Sequence, residues 1–245
     1  MTALVLLSGW GIDARIWQTL APHWPKHLDV RTPNWPGYGE RFAESFSASL
    51  PALAAKMRDQ LPNDAVWVGW SLGGLLAGAL LAHLPVPKAL VLIGTGPKFC
   101  HADGVSTAEL ATFRRAFERD PMATWQHFLR WQLQGEPAPR SAHRRLLDLI
   151  GSQPSASLRS LAAGLDQLRD MDLTPMLSSP PCPIRRIAGE HDGLMHATTR
   201  ESANLLLTET GHCPMLSRPA ALAGYLSGLG QELTLACDDK AEAAR

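Results

Sequence analysis

The sequence predicts an α/β fold: a mostly parallel sheet with helices on both faces, interrupted by an inserted helical lid. Three observations predict it. Short apolar runs bounded by turn residues recur at 3–7, 28–32, 65–68, 89–93, 184–188 and 204–208, the length and character of strands buried on both faces. Helical patterns lie between the early runs, and strand alternating with helix implies parallel strands joined by right-handed crossovers. From 97 to 182 the alternation stops, and only helical periodicity remains.

Taken in order, the run at the amino end has no basic leader and no small-residue cleavage site and soon meets Gly9-Trp10-Gly11, so it reads as a buried strand and the protein as cytoplasmic. The next strand is 28–32. Ser49 can cap a helix reaching Leu61, and the strand 65–68 runs straight into Gly69-Trp70-Ser71-Leu72-Gly73-Gly74. Behind that turn Leu72, Leu75, Leu76, Ala79 and Leu80 repeat at the spacing of one helix face. After the strand 89–93 come helices at 107–119, 122–134, 141–150 and 155–169. Their place before the strand that leads to Asp192 is where a lid would overhang the strand ends. The division expected is a core of 1–96 and 183–236, a lid of 97–182, and a polar, alanine-rich tail, 237–245, that frays.

Composition narrows the function. Basic and acidic side chains balance at 23 each, which leaves no global field to attract nucleic acid or a membrane surface. No window approaches the roughly 18 uninterrupted apolar residues of a membrane span. The four cysteines, Cys100, Cys182, Cys213 and Cys237, are scattered without a Cys-x-x-Cys pair, as plain reduced thiols would be. Gly94-Thr95-Gly96 lacks the third glycine of a dinucleotide loop, and neither a phosphate-loop lysine nor His-Glu-x-x-His occurs, so no cofactor and no metal are implied.

The residues that carry chemistry begin at Ser71. A Gly-x-Ser-x-Gly turn between a strand and a helix forces the serine into a strained conformation and lifts its hydroxyl above the sheet. That hydroxyl needs a base in reach, and the base needs an orienting acid. The expected chain order Ser, Asp, His is met by Asp192, in the loop after 184–188, and His212, in the loop after 204–208. His191 is the rival base, Glu190 the reserve acid, and Asp170 and Asp172 are more distant alternatives. An oxyanion hole requires two backbone N–H donors, and Leu72 and Trp10 stand where they would supply them. A non-catalytic relic of the fold would have no reason to keep all three triad residues.

At this point the residues resemble the biotin-pathway carboxylesterases of the BioH type, members of the α/β-hydrolase superfamily, which cleave the methyl ester of pimeloyl-acyl carrier protein. The resemblance runs from Leu4 to about Leu229 and is carried by Trp10-Gly11, Trp67-x-Gly69-Trp70-Ser71-Leu72-Gly73-Gly74-Leu75, Asp192-Gly193-Leu194 and His212-x-Pro214. It implies the triad Ser71, Asp192 and His212, oxyanion donors at Trp10 and Leu72, and an acyl pocket lined by Trp10, Trp70, Leu72 and Phe128. It implies acyl carrier protein bearing the pimeloyl methyl ester as the partner of a monomer. Rival chemistries on the same fold are a broad small-ester carboxylesterase and a carbon–carbon bond hydrolase. The family usually has histidine where this chain has Ser8, a difference that bears on the bracing of the oxyanion loop more than on the chemistry. Phe113, Phe117, Trp125 and Trp131 are available, with Phe128, to wall a tunnel. Between Leu110 and Arg145 seven arginines face three acids, Glu118, Asp120 and Glu136. Arg140 and Arg144 share one helix face and are the expected docking residues for an acidic carrier.

Overall fold

A computed structural model of the chain describes residues 2–47, 49–101 and 104–243, the last eleven as backbone only. Strand β1, Leu4–Leu7, is followed by a 3-10 stretch, Ala14–His23, and by β2, Val30–Arg31. Helix α1, Leu50–Met57, leads to β3, Val66–Trp70, then α2, Leu72–Leu80, and β4, Ala89–Ile93. The insert holds α3, Thr107–Arg119; α4, Pro121–Trp131; α5, Pro139–Ile150; α6, Leu158–Asp170; and α7, Thr174–Ser178. The chain then returns through β5, Ile184–Gly189; α8, Ala197–Glu201; β6, Leu205–Leu207; α9, Pro214–Ser217; and α10, Pro219–Ala243.

The six strands pair in the order β2-β1-β3-β4-β5-β6, all parallel. Only apolar runs can sit inside such a sheet, because helices cover both faces. The central strands obey: every residue of β1, β3 and β4 is buried, whereas β5 carries the half-buried Arg185 and Arg186 and β6 exposes Leu206. Chain direction across the sheet reverses between β1 and β3, since the connection from β1 goes outward to β2 and that from β3 goes the other way to β4. A crevice opens at the carboxyl ends of the strands at such a switch point.

Several elements differ from their sequence reading. β2 shrinks to two residues at the edge, where polar neighbours gain nothing from burial. Ser49 precedes α1 but makes no side-chain cap, and the helix tightens at Met57 into a 3-10 turn, Arg58–Gln60. α2 is buried almost all round rather than on one face. Within the expected tail, 237–245, residues 237–243 continue α10 in backbone, as alanine, glutamate and lysine favour, and 244–245 lie outside the described residues. Three of the lid helices start on side-chain caps, Ser106 with Glu109 in a capping box for α3, Asp120 for α4 and Ser157 for α6, whereas α5 and α7 have none.

Candidate active site

Register places the chemistry on one edge. Leu7 pairs with Gly69, Trp70 with Ile93, Ile93 with Ile187 and Gly189 with Leu207, so the loops that follow β1, β3, β4, β5 and β6 all emerge together. Ser71 sits at φ 55 and ψ −124, outside the regions an ordinary side chain adopts. The surroundings hold it there: its N–H donates to Ile93 O at 2.9 Å, and its carbonyl accepts from Gly74 N at 2.9 Å and Thr95 Oγ1 at 3.0 Å. The turn closes only because two side chains are missing. A Cβ on Gly69 would stand 2.5 Å from the Gly74 Cα, and one on Gly73 2.5 Å from Ser8 O. The amino end of α2 lies directly behind the serine and contributes its positive potential.

His212 and Asp192 are 2 % and 0 % exposed, and His212 Nδ1 is 2.8 Å from Asp192 Oδ2. The acid is fixed by Leu194 N–H on Oδ1 at 2.9 Å, and Arg200 holds its carbonyl. The indole N–H of Trp70 donates to His212 O at 2.8 Å, anchoring the histidine from β3 itself. With Nδ1 committed, Nε2 is the free nitrogen: it is buried and has no hydrogen-bond partner. A buried ring nitrogen in that state is costly unless it meets a donor during function. Gly94 links the two residues: a Cβ built on it would lie 3.0 Å from His212 Cε1, and it lines one cleft with Ser71.

The alternative acids and base fall elsewhere. Glu190 accepts from Glu209 N and lies beside His191, itself 57 % exposed in its side chain. Asp170 is exposed against Arg169. Asp172 is tied to Thr174 and Lys98, which hold its carboxyl at about 2.

Bracing of the loop after β1 does not depend on Ser8, whose hydroxyl has no partner. Aromatic side chains supply it instead. Trp35 donates to Ser8 O at 3.0 Å, Trp125 of α4 donates to Gly11 O at 2.8 Å, and the Trp10 ring donates to Leu161 O of α6 at 2.8 Å. Among the described residues the N–H groups of Trp10 and Leu72 donate to no protein acceptor.

The described cleft at Ser71 has a volume of about 280 Å³ and is walled by Leu75, the loop 94–101, Thr174, residues 194–196 and residues 198–199. None of the aromatic residues singled out in the sequence is among the residues that wall this cleft. Trp10 packs edge-on against Phe128 at 4.9 Å and Phe113 at 5.7 Å between ring centres, and Phe128 and Phe117 are nearly fully buried. Leu72 and Trp10 meet α6 at Gly164, and Trp70 is packed beneath against Trp17. Trp10, Trp70, Phe117 and Phe128 are thus buried in this arrangement, whereas Phe113 and Trp131 line a surface pocket of about 650 Å³ between α3 and α4.

Two features of the lid bear on the site. Arg130, Arg140, His143 and Arg144 line a surface pocket of about 440 Å³, and among the described residues none of the three arginines has a carboxylate partner. Arg114, by contrast, is spent on Glu118 and Asp166. Sequence reasoning missed Glu136, counted there only as a charge. It is 4 % exposed, and its Oε1 accepts from Cys213 N at 2.8 Å, the residue next to His212. Nothing in the spacing announces a pair 77 positions apart.

Among the described residues no group of three or more His, Cys, Asp or Glu could hold a metal ion, and no helix is long and apolar enough to cross a membrane. Cys100, Cys182 and Cys213 are free thiols; the side chain of Cys237 lies outside the described residues.

Comparison with known proteins agrees with this geometry. A profile described as the alpha/beta hydrolase family matches residues 4–224. The chain is 34 % identical over 242 residues to the pimeloyl-[acyl-carrier protein] methyl ester esterase of Klebsiella pneumoniae strain 342, covering 94 % of each. It is 31 % identical over 235 residues to the protein of the same name from Vibrio vulnificus strain YJ016, covering 91 % of this chain and 92 % of that one. Among solved structures, an esterase from Exiguobacterium antarcticum superposes with a TM-score of 0.76 at 18 % identity, covering 94 % of this chain and 92 % of that one, a likeness of fold.

Proposed function

The chain belongs to the alpha/beta hydrolase family and, within it, to the pimeloyl-[acyl-carrier protein] methyl ester esterases, and from that premise we propose how its residues hydrolyse that ester. The substrate is the methyl ester of a pimeloyl chain on acyl carrier protein. Ser71 is the nucleophile, His212 the general base and Asp192 the acid that orients it. The observation that carries this reading is the buried His212–Asp192 pair, whose outer nitrogen is left without a partner beside a serine at φ 55.

The steps follow from what each atom can do. His212 Nε2 takes the Ser71 proton as Oγ bonds to the ester carbon. Negative charge moves to the carbonyl oxygen, where the N–H groups of Trp10 and Leu72 receive it; one such donor is worth roughly 3 kcal/mol in the transition state. The imidazolium that forms is stabilised by Asp192, which stays ionised. Collapse breaks the carbon–oxygen bond, and the methoxy group leaves as methanol with the proton from His212. Water then gives a proton to the same nitrogen, attacks the acyl-enzyme and releases the free carboxylate, returning the proton to Ser71.

For the acyl chain, Trp10, Leu72, Trp70 and Phe128 are the apolar surface on the oxyanion side of Ser71, and Phe128 and Trp10 must part for a chain to lie between them. Arg140 and Arg144, with Arg130 beside them, are the docking surface. Unpaired guanidiniums forming one pocket suit an acidic partner, because each can grip a carboxylate bidentately.

The test is to offer the purified protein the pimeloyl methyl ester on acyl carrier protein and as a free small molecule. The expected result is kcat/KM at least about tenfold higher for the carrier-bound ester, the gain that steering by complementary charge supplies. Equal values would leave a small-ester carboxylesterase without a carrier.

A further inference from the structure

We infer that Glu136 of the lid is a positioning residue for His212, so that seating the lid and aligning the base are one event. This rests on the triad proposed above. The connection between α4 and α5 carries Gly135-Glu136 down to the sheet edge, where it wedges between the loop holding Asp192 and the loop holding His212. On one side Gly135, at φ 92, lies so close to the His191 carbonyl that a Cβ there would overlap it. On the other side Gly211 has room for Glu136 only as glycine, its Cβ position being 2.8 Å from Glu136 Oε1 and 2.9 Å from Glu136 N. The Glu136 carboxylate then accepts the Cys213 amide at 2.8 Å. The residues on both sides of His212 thus lie against one lid side chain.

Among the described residues, the hydrogen-bond anchors of His212 itself belong to the core: Asp192 on Nδ1 and Trp70 on the carbonyl. Glu136 is the contact that joins it to the insert. A second tie nearby, Arg145 of α5 to Leu216 O at 2.8 Å, fixes the same stretch of lid to α9. Burial pushes the Glu136 carboxyl up from its usual range, and the Cys213 amide that Oε1 accepts pulls it back. The bond from Cys213 needs an oxygen at one place and does not need a full charge. Displacing a catalytic group by about 1 Å can lower a rate a hundredfold.

The prediction separates reach from charge. Glu136→Gln keeps an acceptor oxygen at the same length and should hold kcat on a small neutral ester within about threefold of the parent. Glu136→Asp keeps the charge but withdraws it by one methylene, and Glu136→Ala removes the acceptor. Both should lower kcat on the order of 10- to 100-fold with KM little changed, because the base is misplaced while the ester site is intact. Rates are taken per folded molecule, with folded fraction read from the thermal transition, so instability alone changes neither value. Full kcat in Glu136→Asp overturns the inference, and so does an equal loss in Glu136→Gln and Glu136→Asp. Ser71→Ala assayed alongside keeps the two claims apart: activity lost there but retained in every Glu136 variant overturns the positioning role alone, whereas activity retained in Ser71→Ala overturns the triad beneath it.

Discussion

The sheet edge and the lid are built by different physics. At the edge, Ser71, Asp192 and His212 are each less than a tenth exposed and held by short hydrogen bonds from strand ends whose register is fixed by the parallel ladder. Over it, the lid meets the core through a few buried hydrogen bonds, those of Trp125, Trp10 and Glu136, and is otherwise held by ring-on-ring packing around Trp10 and by half-buried ion pairs such as Arg114 with Asp166. Exposed pairs are worth little and rings repack, whereas a buried hydrogen-bonded constellation has one arrangement. The difference teaches where reaction type and substrate choice are written: the edge sets the chemistry, and the lid sets which ester reaches it.

That division can be broken at either end. The largest effect belongs to the edge: Ser71→Ala should lower kcat on every ester by about 10⁴-fold or more, with the fold retained in circular dichroism. Ordinary turnover in this variant would remove the edge from the chemistry. Next comes Asp192→Asn, which leaves the packing but spoils the histidine's orientation and should cost between about 10- and 10⁴-fold in kcat. Its neighbour Glu190, facing solvent, is the control; Glu190→Gln should change kcat less than about threefold. Exchanged sizes for those two effects would make Glu190 the acid.

The lid's own signature is selective. Arg140→Glu with Arg144→Glu should lower kcat/KM for the carrier-bound ester by about 10-fold or more, and more steeply at low salt, where steering acts over a longer range. A small neutral ester should be unaffected within about twofold, as exposed side chains remote from the serine predict. Equal loss on both substrates would assign the arginines to lid structure instead.

Much of the edge was legible in the sequence because its rules are local. β4 lies where the apolar run 89–93 places it, and Gly69 and Gly73 announce a turn that admits no Cβ. Asp192 and His212 were found by position, each just past a strand. The lid was legible as helices, with α3 at 107–119 as its periodicity indicates. Its contacts were not. Glu136 meets Cys213 across 77 residues and Trp125 meets Gly11 across 114, and no spacing encodes such pairs. The 3-10 stretch Ala14–His23 went unseen because Pro22 and a tighter turn blur the helical period. α10 did leave a signal, in the buried Leu222, Leu226 and Leu229, that the reading passed over.

The claim that everything else depends on is that Ser71 is the activated nucleophile. Treating the folded protein with a fluorophosphonate and locating the adduct by peptide mass spectrometry tests it directly. The account predicts one adduct, on Ser71, that disappears when the protein is unfolded before treatment, since only a serine with a base in place reacts readily. An adduct on a different residue, or none on the folded protein, would contradict it.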